Sequence, residues 1–159
     1  MTFLRHSIFK KPKFLVTNHN SSQTTSSSRN ALTTIAGSQI DYTPDNDATK
    51  VIYEISFYME ANKRFFYAFY LEEYNGSTWV KIDSKNTKNL GISYSDSQFY
   101  RYIIHYRFIL PAWTGNKQLR LTTASESSSD HLDMHQITAW DGTSSSNTFC
   151  NTNLLVYSI

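Results

Sequence analysis

The chain has 159 residues, a formal net charge of +2 and a single cysteine. That length suits one domain with an appendage, and one cysteine cannot build an internal disulfide framework. No run reaches the roughly 18 to 20 uninterrupted apolar residues of a membrane helix, since even Tyr102 to Leu110 is broken by His105 and Arg107. Met1 to Val16 lacks the continuous apolar stretch and small-residue cleavage site of a signal peptide, so no export is expected.

The charge is unevenly placed. Residues 1–29 hold Arg5, Lys10, Lys11, Lys13 and Arg29 and no acid, which leaves ten basic and thirteen acidic residues for the remainder. A basic arm on a mildly acidic body is the pattern of a segment that meets an anionic partner, whether nucleic acid, membrane or acidic protein; a solvated tail is the plainer alternative. Thr17 to Arg29 is almost wholly Ser, Thr, Asn and Gln, too polar to offset its own ordering entropy. Something outside the domain is then expected to hold it, which points to an assembly. The chain divides into an arm, residues 1–30, and a folded body, residues 31–159.

Tyr and Phe are abundant in the body and Gly and Pro scarce, a mixture that suits pleated sheets. Pro44, Asp45, Asn46 and Asp47 form a turn. In Val51 to Glu60, Val51, Tyr53, Ile55, Phe57 and Met59 share one face while Glu54, Ser56 and Glu60 share the other, as a strand with one buried side requires. Phe65 to Tyr74 is a second strand, returned by Asn75-Gly76 through Thr78 to Asp83. Phe99 to Leu110 is the longest run, with Tyr100, Tyr102, Ile104, Tyr106, Phe108 and Leu110 on one side. Extended at about 3.3 Å per residue it spans about 40 Å, enough to cross the domain. Pro111 ends it, Gly115-Asn116 turns the chain, and Gln118 to Ala124, Leu132 to Trp140 and Leu154 to Ile159 follow as strands. All five glycines are expected between strands. About eight strands at this spacing predict an all-β, antiparallel two-sheet sandwich of jelly-roll type with an extended N-terminal arm.

The chain offers little chemistry. His131 and His135 would share a strand face about 13 Å apart, too far for one metal ion. Asp45, Asn46 and Asp47 lack the ligand spacing of a calcium loop. Glu54 and Glu60 would stand about 20 Å apart and Glu72 and Glu73 point oppositely, so neither pair suits glycoside hydrolysis. There is no nucleophile elbow or phosphate-binding loop, and Cys150 reads as a small buried hydrophobe. No enzyme activity, metal or cofactor is expected. Two sets of residues suit binding instead. Trp79, Trp113 and Trp140, with Tyr74 and Tyr94, lie at or near turns and could stack on sugar rings, though aromatics at strand ends more often cap a core. Arg101, His105 and Arg107 alternate along one face of the longest strand and could meet an anionic partner, or serve as solvated sheet residues.

The body from about Thr34 resembles small jelly-roll virion proteins of tailed bacteriophages, themselves distantly similar to the tumour-necrosis-factor and C1q sandwich. The likeness rests on Gly37-Ser38-Gln39-Ile40-Asp41-Tyr42-Thr43-Pro44, Val51-Ile52-Tyr53-Glu54-Ile55-Ser56-Phe57, Tyr102-Ile103-Ile104-His105-Tyr106-Arg107-Phe108, Thr138-Ala139-Trp140-Asp141-Gly142 and Leu154-Leu155-Val156-Tyr157-Ser158-Ile159. It implies a virion structural component made in the host cytoplasm, foremost a capsid decoration or cement protein, with a tail or tail-fibre component that binds a receptor glycan as the alternative. The implied partners are capsid or other virion proteins and further copies of the chain, often as a trimer, rather than nucleic acid or membrane. The arm residues Arg5, Lys10, Lys11, Lys13 and Arg29 would supply the partner contacts.

Overall fold

Apolar and polar side chains alternate where a sheet has one buried face, and the two longest strands of the fold follow that rule from Tyr53 to Phe57 and from Ile104 to Phe108. The structure is a computed structural model that describes residues 10–24, 32–62, 65–82, 88–92, 99–125, 131–140, 142 and 144–159. Fourteen strands form among these residues, and every pairing is antiparallel. Sheet A places β1 (Lys10–Thr17), β14 (Thr152–Ser158), β5 (Lys50–Asn62) and β9 (Phe99–Pro111) side by side. β11 (His131–Met134) follows β14 along the same edge of β5 and carries β2 (Gln23–Thr24) on its outer side. Sheet B sets β10 (Lys117–Ser125) against β6 (Phe65–Tyr74). β3 (Thr33–Thr34) and β4 (Ile40–Tyr42) share the far edge of β10, and β7 (Trp79–Lys81) and β8 (Lys88–Ile92) share that of β6. β12 (Gln136–Trp140) and β13 (Ser145–Phe149) form a separate hairpin.

The chain crosses between sheets at β2 to β3, β4 to β5, β5 to β6, β8 to β9, β9 to β10 and β10 to β11, and each sheet is four columns wide, a course of jelly-roll type. The short strands extend one another within columns, which reconciles fourteen strands with the eight expected. Between the sheets, Tyr53, Ile55, Phe57 and Met59 of β5 meet Tyr67, Phe69 and Leu71 of β6 and Leu119 and Leu121 of β10, all fully buried. Burial of each such side chain contributes roughly 1.5–3 kcal/mol. Phe57 and Phe69 approach across the core with centroids 6.1 Å apart, and Tyr106 closes on Phe69 at 5.1 Å. The phenol of Tyr53 donates to the Ser38 carbonyl at 2.5 Å, which satisfies a polar group that burial would otherwise penalise.

Three expectations change. Residues 10–17 and 23–24, expected within the arm, belong to sheet A: β1 pairs with β14 from Lys10 to Thr17, and β2 pairs with β11 at Gln23 and Thr24. Their polar composition misled because hydrogen bonds to buried partners, rather than apolar burial, tie them down. The expected strand Leu132 to Trp140 is two strands, because His135 takes a left-handed conformation, φ 66°, and turns the chain out of sheet A into the β12–β13 hairpin. Gly91 lies inside β8, opposite Phe66, rather than in a turn. The turns at Asn75-Gly76 and Asp45-Asn46-Asp47 form as read: Asn75 Oδ1 accepts the Ser77 and Thr78 amides, and Ala48 N donates to Asp45 O.

Gly37 is fixed by its surroundings as well as by its backbone. Its φ is +79°, and a Cβ there would lie 2.8 Å from Thr17 Cβ and Oγ1 and 2.9 Å from Thr152 Cβ, where β1 and β14 begin to part. Gly76 also has positive φ, +94°, but open space around it. Gly76→Ala should therefore cost about 1–2 kcal/mol of backbone strain alone, and Gly37→Ala distinctly more, as read by urea unfolding. Equal losses would show that the Thr17 contact yields without cost.

Candidate interaction surface

The outward residues of sheet A come from four strands in register. Phe14, Leu155, Glu54 and Arg107 form one row across β1, β14, β5 and β9; Val16, Asn153, Ser56 and His105 form the next. Tyr58 faces Ile103, and Ile52 lies between Tyr157 and Ile109. Four large hydrophobic side chains stand exposed on this one face, Phe14 at 60%, Val16 at 48%, Ile103 at 65% and Ile109 at 54%. A shallow depression at its centre is lined by Phe14, Glu54, Ser56, His105, Asn153 and Leu155.

The arginines of this face are already paired. Arg101 Nε meets Glu60 Oε2 at 3.0 Å, and Arg107 Nε meets Glu54 Oε1 at 2.9 Å while its Nη2 donates to Tyr157 Oη at 2.9 Å. Each carboxylate is the sunken member, with Glu60 at 8% and Glu54 at 21% side-chain exposure against 48% and 53% for the arginines. A partner therefore meets guanidinium groups and isoleucines, with acids beneath. His105 is exposed between the two pairs. The three residues do share one face, as their alternation predicted; the register that sets Glu60 and Glu54 opposite Arg101 and Arg107 joins positions 41 and 53 apart, which no local pattern reveals.

The remaining expected contacts divide. Lys13 Nζ donates to the Asp41 carbonyl at 2.9 Å and so ties β1 to β4 across the sandwich edge. Arg5 and Arg29 lie outside the described residues, as does Tyr94, and the backbones but not the side chains of Lys10, Lys11 and Trp140 are described. Trp113 packs against the core edge-on to Tyr42, with centroids 6.3 Å apart, which is the capping role. Trp79 lies on the outer side of sheet B, 5.4 Å from Tyr74, with the Arg120 guanidinium 4.1 Å from its ring centre and Lys81 over Tyr70 at 3.5 Å. Arg120 in turn holds Glu72 at 2.8 Å.

Phe14, Val16 and His19 were missed as site residues because they fell within the supposed arm. His19 stacks on His135, which is fully buried at the junction of β11 and β14. Burial, and next the neighbouring His19, push the pKa of His135 down to about 4; burial lowers that of His19 as well. Cys150 is half-buried, its amide donating to the His135 carbonyl, and burial raises its thiol pKa. Among the described residues no group of three His, Cys, Asp or Glu side chains is placed to hold a metal ion. No protein-family model matches the chain, and no curated protein matches it.

Removal of Arg101 takes the guanidinium from a nearly buried carboxylate, whereas removal of Arg107 exposes Glu54 to water and leaves Tyr157 beside it. Arg101→Ala should cost about 1–3 kcal/mol, and Arg107→Ala under about 1 kcal/mol, by denaturant unfolding at neutral pH. The reverse order would mean that Glu60 is resolvated without penalty.

Proposed function

We propose that this chain is a non-enzymatic structural protein of a bacteriophage particle, a capsid decoration or cement protein that docks on capsid subunits through the outer face of sheet A. The observation that carries the reading is the gathering of Phe14, Val16, Ile103 and Ile109 on one face between arginines whose acids are recessed. Charged and aliphatic groups so mixed suit adhesion to another protein, since association sites set apolar contacts beside polar and charged ones. Four columns of sheet spaced by about 4.8 Å, over thirteen residues of β5 and β9, offer on the order of 800 Å², the share one partner contributes to a standard interface. On this reading the basic residues of the arm serve contact with an acidic neighbouring surface. Copies of the chain acting together, as a trimer, would add avidity to each single contact. Its place of action is the virion, and its mechanism is mass action: contacts made to the assembled shell favour the shell.

A second reading draws on sheet B. Tyr74, Trp79 and Arg120 form an aromatic and cationic patch that suits a sugar ring, as in a tail-fibre component that binds a receptor glycan. Arg120 occupies part of the Trp79 face, which leaves less ring for stacking and places this reading second.

Occupancy on purified particles of the encoding phage tests the first reading. Ile103→Glu with Ile109→Glu should lower binding at least tenfold while the unfolding midpoint barely changes, because exposed sites bear on binding rather than on the core. Truncation must stop at residue 9, since β1 begins at Lys10. Undiminished occupancy in both the face variant and the truncated chain would sink the capsid reading; selective glycan binding abolished by Trp79→Ala would replace it with the second.

A further inference from the structure

Residues 18–24 run along the outer edge of sheet A past the junction of β14 and β11, and little apolar burial holds them: of the seven, only His19 and Gln23 are even half-buried. Both of those side chains are bonded into one buried network. Gln23 Oε1 accepts the Ala36 amide at 2.8 Å and Gln23 Nε2 donates to Thr34 O at 2.6 Å, which sets the orientation of the side-chain amide. The same Oε1 faces His135 Nε2 at 3.2 Å, so that nitrogen carries the proton of the neutral ring. His135 Nδ1 is then the acceptor for the Thr152 hydroxyl at 3.0 Å, and Thr152 Oγ1 in turn accepts from His19 Nε2 at 3.0 Å. The two imidazoles lie 3.8 Å apart and within 8° of parallel.

A further proton has no good place here. On His135 it would turn the Thr152 hydroxyl away to the Ala36 carbonyl, 3.2 Å off, and set a buried positive ring against a second titratable ring. Among the described residues, the groups that face His135 supply no compensating charge. They are His19 and Gln23 from the edge segment, Thr152 from β14, the Phe57 ring and Tyr58 carbonyl from β5, and the Cys150 amide from the hairpin neck. On β11, Asp133 accepts the Thr24 hydroxyl at 2.7 Å, and Glu60, opposite it on β5, is held by Arg101.

We propose that His19 and His135 form a proton-operated clamp, which holds residues 18–24 against the edge of sheet A at neutral pH and releases them in mildly acidic surroundings. Release also removes β2 from β11 and opens that edge of sheet A, while β1 stays paired with β14. The direction follows from linkage. His135 titrates near 4 when clamped, and removal of the segment that covers it lifts its pKa toward the ordinary 6.5, so the released state binds more protons between those values. Clamping is complete above about pH 6.5 and weakens as the pH falls toward 4. Between pH 7.5 and pH 5, His135 alone shifts the balance toward release by up to about thirty-fold.

Hydrogen exchange of the full-length protein, corrected for the intrinsic pH dependence of amide exchange, reads the clamp directly. Exchange in 18–24 should rise by up to about thirty-fold between pH 7.5 and pH 5, while β5 and β9 keep their protection. His19→Gln retains a donor toward Thr152 and should flatten the response several-fold; His135→Asn, with a residue that tolerates positive φ, should abolish it. The two imidazole pKa values, read by proton NMR of the wild-type chain, should both lie below 6.5. Unchanged protection of 18–24 at pH 5, loss of protection in all strands together, or the same pH response in His19→Gln as in the wild type would each overturn the proposal.

Discussion

The thirteen-residue ladder between β5 and β9 is the constraint on which the rest of the molecule depends. Lys50 to Asn62 runs against Phe99 to Pro111 without a register shift, so every side chain of one strand has a fixed opposite in the other. Side chains alternate strictly across a strand, and a slip of β9 by one residue against β5 would send Phe108 to water and Arg107 into the core. The core and the outer face are therefore set by the same register. Tyr53 meets Phe108 inside for the reason that Glu54 meets Arg107 outside.

The opposite edge of β5 carries two strands in turn, and their junction shapes the second feature. β14 serves Val51 to Ser56 and β11 serves Met59 to Asn62, which leaves the backbone at Phe57 and Tyr58 to be met by something else. His135 fills that place, its amide donating to the Tyr58 carbonyl at 2.8 Å while its left-handed backbone starts the excursion through β12 and β13. A residue with positive φ at a buried junction carries strain that the surroundings must offset. Here Thr152, Gln23 and the stacked His19 do so, and a segment with almost no apolar content is thereby fixed to the sandwich.

How much of this was legible in the chain depended on which force shaped each element. β5, β6, β9 and β10 bury one face in an apolar core, and their period-two patterns marked both extent and orientation. Asn75-Gly76 marked its hairpin because only certain residues accept such a turn. β1, β8 and β13 left no such signal: β13 is Ser145 to Phe149, paired through backbone hydrogen bonds that any side chain permits, and β1 is an edge strand with Phe14 and Val16 facing outward. The break at His135 is equally silent, since Leu132 to Trp140 alternates well enough for one strand and its left-handed residue is neither Gly nor Asn. The surface was half legible. Arg101, His105 and Arg107 could be grouped from one strand, but their acids, and the β1 hydrophobics beside them, came together only through long-range pairing.

The recessed position of Glu54 and Glu60 gives the outer face a property that a plain apolar patch lacks. Guanidinium groups fixed by buried carboxylates hold their orientation before any partner arrives, so less rotamer entropy is lost on docking than with free lysines. The same pairing tempers attraction to diffuse anionic surfaces, because each arginine already has a counter-charge. A face of this kind discriminates by shape and by the placement of hydrogen-bond acceptors more than by net charge. A face of that kind admits fewer partners than one that attracts by charge alone.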